Sequence, residues 1–223
     1  MKYFIYLLFL SLFAEAIDIT KLNQQCAAKD AEACDELVIY YYQGAGRDIN
    51  KAIHYAEISC DSGSNDGCVG LGYFYEHGVG KTKNMHKAIE YYKKACDNDS
   101  GMGCYNLGTI YLFKLGVNTD SLLALTYFKK ACDKKIAHSC SNLASMYSEG
   151  KGIRRDLDKA IKYSEEACEL GSGGGCHNLG VMYSQGKGVR RNYKSAKNYF
   201  KKGCDLKYQQ SCVNYDYMKS HGI

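Results

Sequence analysis

Apolar and small residues recur along this chain at spacings of three and four. Ala88, Tyr91 and Ala95 keep this rhythm, as do Ala124, Tyr127 and Ala131, then Cys104, Leu107 and Tyr111, and Cys140, Leu143 and Tyr147. Such spacing puts one apolar face on a 3.6-residue period and selects helix over strand. Two kinds of helix follow. Segments such as Lys87 to Asp97 (KAIEYYKKACD) form one, here called B, and segments such as Cys104 to Phe113 (CYNLGTIYLF) form the other, called A. Glycines stand between A and the next B: Gly44 and Gly46, Gly78 and Gly80, Gly150 and Gly152, Gly186 and Gly188. They supply the positive φ that ends a helix. In one turn Lys114 replaces the first glycine and only Gly116 remains.

The pattern is periodic. Cysteines stand at Cys26 and Cys34, Cys60 and Cys68, Cys96 and Cys104, Cys132 and Cys140, Cys168 and Cys176, Cys204 and Cys212, always eight apart, and the pairs recur after 34 and then 36 residues. A fixed period of this size signals a repeat array. Tyr55, Tyr91, Tyr127, Tyr163 and Tyr199 precede the first cysteine of their pairs by five positions, and Leu37, Leu71, Leu107, Leu143 and Leu179 follow the second by three. Gly72, Gly108 and Gly180, with Ala144, come directly after those leucines and predict close helix approach, with the alanines of helix B as the matching small surface. The fold class expected is all-α, an α/α solenoid of stacked helix pairs. Residues 18–29 read as a lone front helix B and residues 212–220 as a lone closing helix A, where Asp216 and Lys219 replace the small residue and the tyrosine. Polar departures of that kind suit the water-facing ends of an array.

Composition narrows the setting. Lys2, an apolar run from Tyr3 to Phe13 and the Ala14-Glu15-Ala16 stretch predict a cleavable secretory signal over residues 1–16. Residues 17–223 are then expected as one solenoid of about five repeats plus terminal capping helices, secreted to a bacterial periplasm or exterior. An even count of 12 cysteines in an oxidising compartment predicts disulfides, and the spacing predicts six local ones, each joining the two cysteines of a pair. Zinc sites use tighter cysteine spacing and redox catalysis favours Cys-x-x-Cys, so neither a metal nor another cofactor is expected. The net charge of +5 is spread along the chain, which gives no support to nucleic-acid binding. No later apolar stretch reaches spanning length, so no stable membrane insertion is expected, and the protein reads as monomeric.

Candidate chemistry lies on the A helices. Asn106, Asn142, Asn178 and Asn214 occupy one offset, two positions after the second cysteine, with Gly70 and Glu36 in the earlier repeats. Stacked side-chain amides suit an extended peptide backbone or a carboxylate terminus. The same residues also suit a structural role as tethers of neighbouring loops. Tyr73, Thr109, Ser145, Val181 and Tyr217 share the next position along that face. Two Ser-x-x-Lys matches occur, Ser148 with Lys151 and Ser184 with Lys187, the form used by serine β-lactamases. In both the lysine follows a turn glycine, no Ser-Asp-Asn or Lys-Thr-Gly partner is present, and the histidines are scattered.

The stretches 71–96 (LGYFYEHGVGKTKNMHKAIEYYKKAC), 142–168 and 178–204 resemble the Sel1-like repeat, a relative of the tetratricopeptide repeat. With the cysteine pairs, the chain is similar to the Helicobacter cysteine-rich proteins. The resemblance implies a right-handed superhelix of disulfide-linked helix pairs in a secreted protein. It also implies penicillin binding, weak β-lactamase-like hydrolysis, or interaction with host proteins. Partners expected for a groove on this scaffold are a peptide, a cell-wall fragment or a host protein.

Overall fold

A computed structural model of the protein describes residues 18–113 and 119–222. The proposed signal segment and the turn containing Lys114 and Gly116 lie outside the described residues. Twelve α-helices and no strands occur among the described residues. They are α1 (Ile19–Ala27), α2 (Ala31–Tyr42), α3 (Ile49–Asp61), α4 (Asn65–His77), α5 (Met85–Asp97), α6 (Gly101–Phe113), α7 (Ser121–Asp133), α8 (Ala137–Glu149), α9 (Leu157–Glu169), α10 (Gly173–Gln185), α11 (Tyr193–Asp205) and α12 (Gln209–Ser220). Odd-numbered helices are of type B and even-numbered ones of type A. The chain groups into two compact units, one ending at Lys83 and holding α1–α4, the other starting at Asn84 and holding α5–α12. The fold class is the expected all-α solenoid of helix pairs.

Both helix types begin earlier than the apolar rhythm indicated, and polar capping residues set the starts of the B helices. Asp48, Asn84, Asp120, Asp156 and Asn192 cap the B helices, each side chain accepting from a backbone N–H of the first turn. The backbone N–H of Asp48, Asp120, Asp156 and Asn192 donates to the carbonyl of Tyr41, Tyr111, Tyr147 and Tyr183 respectively, at 2.8 to 3.1 Å. Thus the cap that starts helix B also ties it to the preceding helix A. Gly78, Gly150 and Gly186 end their helices in the left-handed region at φ near 70°, as the sequence indicated. Gly44 and Gly46 differ: neither is among the positive-φ glycines, and the φ at the end of α2, on Gln43, is −121°.

All six expected disulfides are present, with Cα atoms 4.5 to 4.9 Å apart. Each joins the end of a B helix to the start of the next A helix. Three residues after the first cysteine the chain turns left-handed, at Lys29, Gly63, Asp99, Lys135, Gly171 and Lys207. The N–H of that residue donates back to the cysteine carbonyl at 2.8 to 3.2 Å, and the next N–H closes onto the residue before the cysteine. Here the crossing is tight. A Cβ on Gly103 would lie 2.9 Å from Ala95 Cβ, and one on Gly175 only 2.5 Å from Ala167 Cβ.

The helix B alanines therefore meet the glycine just before the second cysteine. The glycines after the leucines were expected to face that alanine surface, but they receive aromatic rings instead. A Cβ on Gly108 would stand 2.7 Å from the Phe128 ring, and one on Gly180 2.5 Å from that of Phe200. Periodic tyrosines pair within four of the repeats. Tyr41 stacks on Tyr55, Tyr111 on Tyr127, Tyr147 on Tyr163 and Tyr183 on Tyr199, with centroids 5.5 to 5.9 Å apart and planes within 12°. Burial, and then the partner phenol, raises the pKa of Tyr55, Tyr127, Tyr163 and Tyr199.

Two outcomes follow from this packing. Replacing Cys132 and Cys140 together by serine frees a short loop in the unfolded chain, and should lower urea-measured stability by about 2.5 kcal/mol on the loop-entropy relation. The raised tyrosines should make stability constant below the phenol's ordinary pKa and falling as pH climbs above about 10, because the unfolded chain loses those protons first. Absorbance titration at 295 nm alongside thermal melts would check this; a subset of tyrosines should ionise only as the fold is lost.

Candidate functional site

Three cavities run along the second unit, linked by shared residues. The largest, about 490 Å³, is lined from α6 by Tyr105, from α8 by His138, Ser141, Asn142 and Ser145, and from α10 by Asn178, with Gly171–Gly174 and Leu206–Tyr208 completing it. The second, about 220 Å³, shares Ser145 and Asn178 and adds Ala144, Ser148, Glu149, Ser164, His177, Val181, Met182 and Lys187. The third, about 350 Å³, shares Val181 and adds Ser184, Gln185, Tyr193, Phe200, Asn214, Tyr217 and Met218.

The asparagine ladder is thus brought partly together. Asn142 and Asn178 line one cavity, Asn178 reaches into the second, and Asn214 lines the third. Equal offsets on helices related by one period put these amides in one line, and each is half-buried. Ser145 borders the first two cavities. Other expected residues fall elsewhere. Asn106 is half-buried on α6 and lines none of the three. The Thr109 hydroxyl donates back to the Tyr105 carbonyl at 3.0 Å. Tyr73 belongs to the first unit, where its hydroxyl accepts from Tyr42 and its ring stacks on His77 at 4.2 Å.

Neither Ser-x-x-Lys match forms a serine–lysine pair. The Ser148 hydroxyl donates to the Ser145 carbonyl at 3.1 Å and that of Ser184 to the Val181 carbonyl at 2.9 Å. The Lys151 ammonium sits over the Phe113 ring, 5.1 Å from its centroid. Lys187 lines the second cavity while Ser184 lines the third. The left-handed Gly150 and Gly186 end the helices between serine and lysine, so one helical face never carries both.

The largest cavity depends on residues that the periodic reading passed over. Positions 173 and 174 are glycine, where the preceding repeat has Ala137 and His138. A Cβ at Gly174 would meet Ser172 Oγ and Tyr208 Cε2 at 3.7 Å, ordinary contact distance, so a side chain there would extend along the cavity wall. The run Gly171-Ser172-Gly173-Gly174-Gly175 was the available signal. Ser172 caps α10 through Gly175 N–H and exchanges a 2.7 Å hydrogen bond with Ser141, which holds the floor of the cavity. Tyr105 and Tyr208 form aromatic walls, with the His177 ring 5.2 Å from that of Tyr208. Desolvation lowers the pKa of His177, and its Nδ1 lies 3.2 Å from the Ser211 hydroxyl, so near neutral pH the ring is uncharged. Cys132, Cys140 and Glu166 bring potential metal ligands within 4.8 Å, but both sulfurs are spent in a disulfide and offer no thiolate.

The chain is similar to several known proteins. The structure of c5321, a protective antigen present in uropathogenic Escherichia coli strains and displaying the same repeat fold, superposes with a TM-score of 0.86 at 27% identity, over 93% of this chain and 45% of that one. Helicobacter pylori cysteine rich protein B is 34% identical, over 59% of this chain and 94% of its own, with a TM-score of 0.48. Cytochrome c oxidase assembly factor 7A of Xenopus laevis is 37% identical over 65 residues, 28% of each chain. The chain therefore spans under half of the first of these proteins and a smaller part of the third. The profile of the Sel1 repeat matches residues 31–64, 65–100, 101–135, 137–172 and 174–208, each span holding one A helix and the B helix after it. With most of its length in five successive matches, the chain belongs to the Sel1 repeat family.

Proposed function

We propose that this protein is an exported binding scaffold whose second unit holds an extended peptide segment of a protein partner along the line Asn142, Asn178 and Asn214. The observation that carries this reading is the shared lining of one cavity by Asn142 and Asn178, with Asn214 continuing the line one period later. A side-chain amide both donates and accepts, so it can pair with a backbone peptide group in either direction. Amides at regular intervals suit a ligand whose own groups repeat, and repeat arrays commonly use such a surface for partners. Tyr105 and Tyr208 add aromatic area beside the polar line. Six disulfides fit an oxidising compartment, as an exported protein would meet. The serine hydroxyls of the two Ser-x-x-Lys matches are turned onto their own helices, so their geometry gives no support to β-lactam hydrolysis.

Selection from a displayed peptide library, followed by calorimetry on the best binder, tests the proposal. Asn142→Ala with Asn178→Ala should weaken binding roughly tenfold or more, taking about 1 kcal/mol for each lost hydrogen bond. Asn106→Ala, which lies outside these cavities, should leave the affinity within twofold. Unchanged affinity in the double variant would sink the groove.

A further inference from the structure

The second cavity stands at a position where the repeats before and after it carry a phenylalanine. Phe128 packs against Gly108 on the preceding helix A and belongs to the same buried cluster as Met146 of the following one. One period beyond Ser164, the equivalent residue Phe200 packs against Gly180 and clusters with Met218. The repeat between them has Ala144 for the glycine, Ser164 for the phenylalanine and Met182 for the methionine. These three residues line the 220 Å³ cavity, with Val181 beside them. The corresponding cavity one period on has Phe200 and Met218 in its wall.

Ser164 is fully buried and its hydroxyl has no hydrogen-bond partner. An unpaired buried hydroxyl is a standing cost to the fold and a ready partner for an entering donor or acceptor. Ala144, Val181 and Met182 give its wall an apolar side beside the polar Ser145, His177 and Asn178, and a methionine thioether packs well on an aromatic ring. Toward the rim come Ser148, Glu149 and Lys187, whose two charges balance. A site with one apolar side, an unpaired buried hydroxyl and no net charge at its mouth suits an uncharged ring with a polar tip.

The geometry points to a tyrosine pocket: the cavity takes the phenol of a tyrosyl side chain of a bound peptide, hydroxyl inward to Ser164, in the place where neighbouring repeats put their own phenylalanine. This rests on the groove reading above, since Asn178 and Ser145 belong to both cavities.

The probe is p-cresol, titrated into the oxidised full-length protein carrying 13C-methyl labels on methionine and alanine. Saturable shifts are expected at the Met182 and Ala144 methyls, with toluene binding at least threefold more weakly. Ser164→Ala should keep the fold and bring p-cresol down to the affinity of toluene. Ser164→Phe combined with Ala144→Gly restores the ring-on-glycine packing of the neighbouring repeats; it should melt no lower than the parent and lose the p-cresol shifts. Absence of saturable shifts in the parent, equal affinity for the two probes, or unchanged binding in Ser164→Ala would each overturn the assignment. A groove peptide that binds the filled double variant as well as the parent would also remove the pocket while leaving the asparagine line standing, whereas the Asn142 and Asn178 variants decide the line itself.

Discussion

At every passage from a B helix to the next A helix, the chain reverses within seven residues and is locked there by a sulfur–sulfur bond. A left-handed residue and two backbone hydrogen bonds close the turn, and the disulfide fixes the two helix ends under 5 Å apart at Cα. That spacing leaves room only for small residues at the crossing, which accounts for Gly67, Gly103 and Gly175 and for the alanines opposite the latter two. Because the cross-link is the same in each repeat, equal sequence offsets become equal positions in space. The tyrosine stacks and the line of asparagines both derive from this regularity.

Away from the crossing, packing is governed by size matching between a helix A position and a helix B position. Glycine receives phenylalanine at Gly108 with Phe128 and at Gly180 with Phe200, while the equivalent positions between them are Ala144 and the smaller Ser164, which line one cavity. Interiors are close-packed, so a pair that is too small leaves space that neighbours refill only in part. Two of the cavities of the second unit lie beside departures from the repeat. Gly173, which lets Tyr208 approach closely, and Gly174 border the largest, and Ser164 lines the second. An array of this kind carries its individuality in the residues that break the repeat, while those that keep it hold the scaffold.

The electrostatic character of the groove agrees with a recognition surface. Burial disfavours a charge on His177, Glu149 and Lys187 offset one another, and apart from Lys207 the remaining lining is hydroxyl, amide, aromatic or apolar. Such a lining discriminates by hydrogen-bond pattern and shape more than by charge.

The sequence by itself determined the helices, their pairing and the disulfides, because periodic spacing and a short loop between cysteines are local constraints. It also placed the asparagines on one line, since equal offsets in equal repeats need no knowledge of contacts. It did not reveal that Gly108 and Gly180 accept rings from Phe128 and Phe200, or that Ser148 shares a cavity with Lys187 and not with Lys151. Nor did it distinguish Asn142 and Asn178, which border open space, from Asn106, which lines none of the three cavities. Those outcomes depend on side chains contributed by neighbouring helices and turns, and only the packed structure brings such distant residues to the same place.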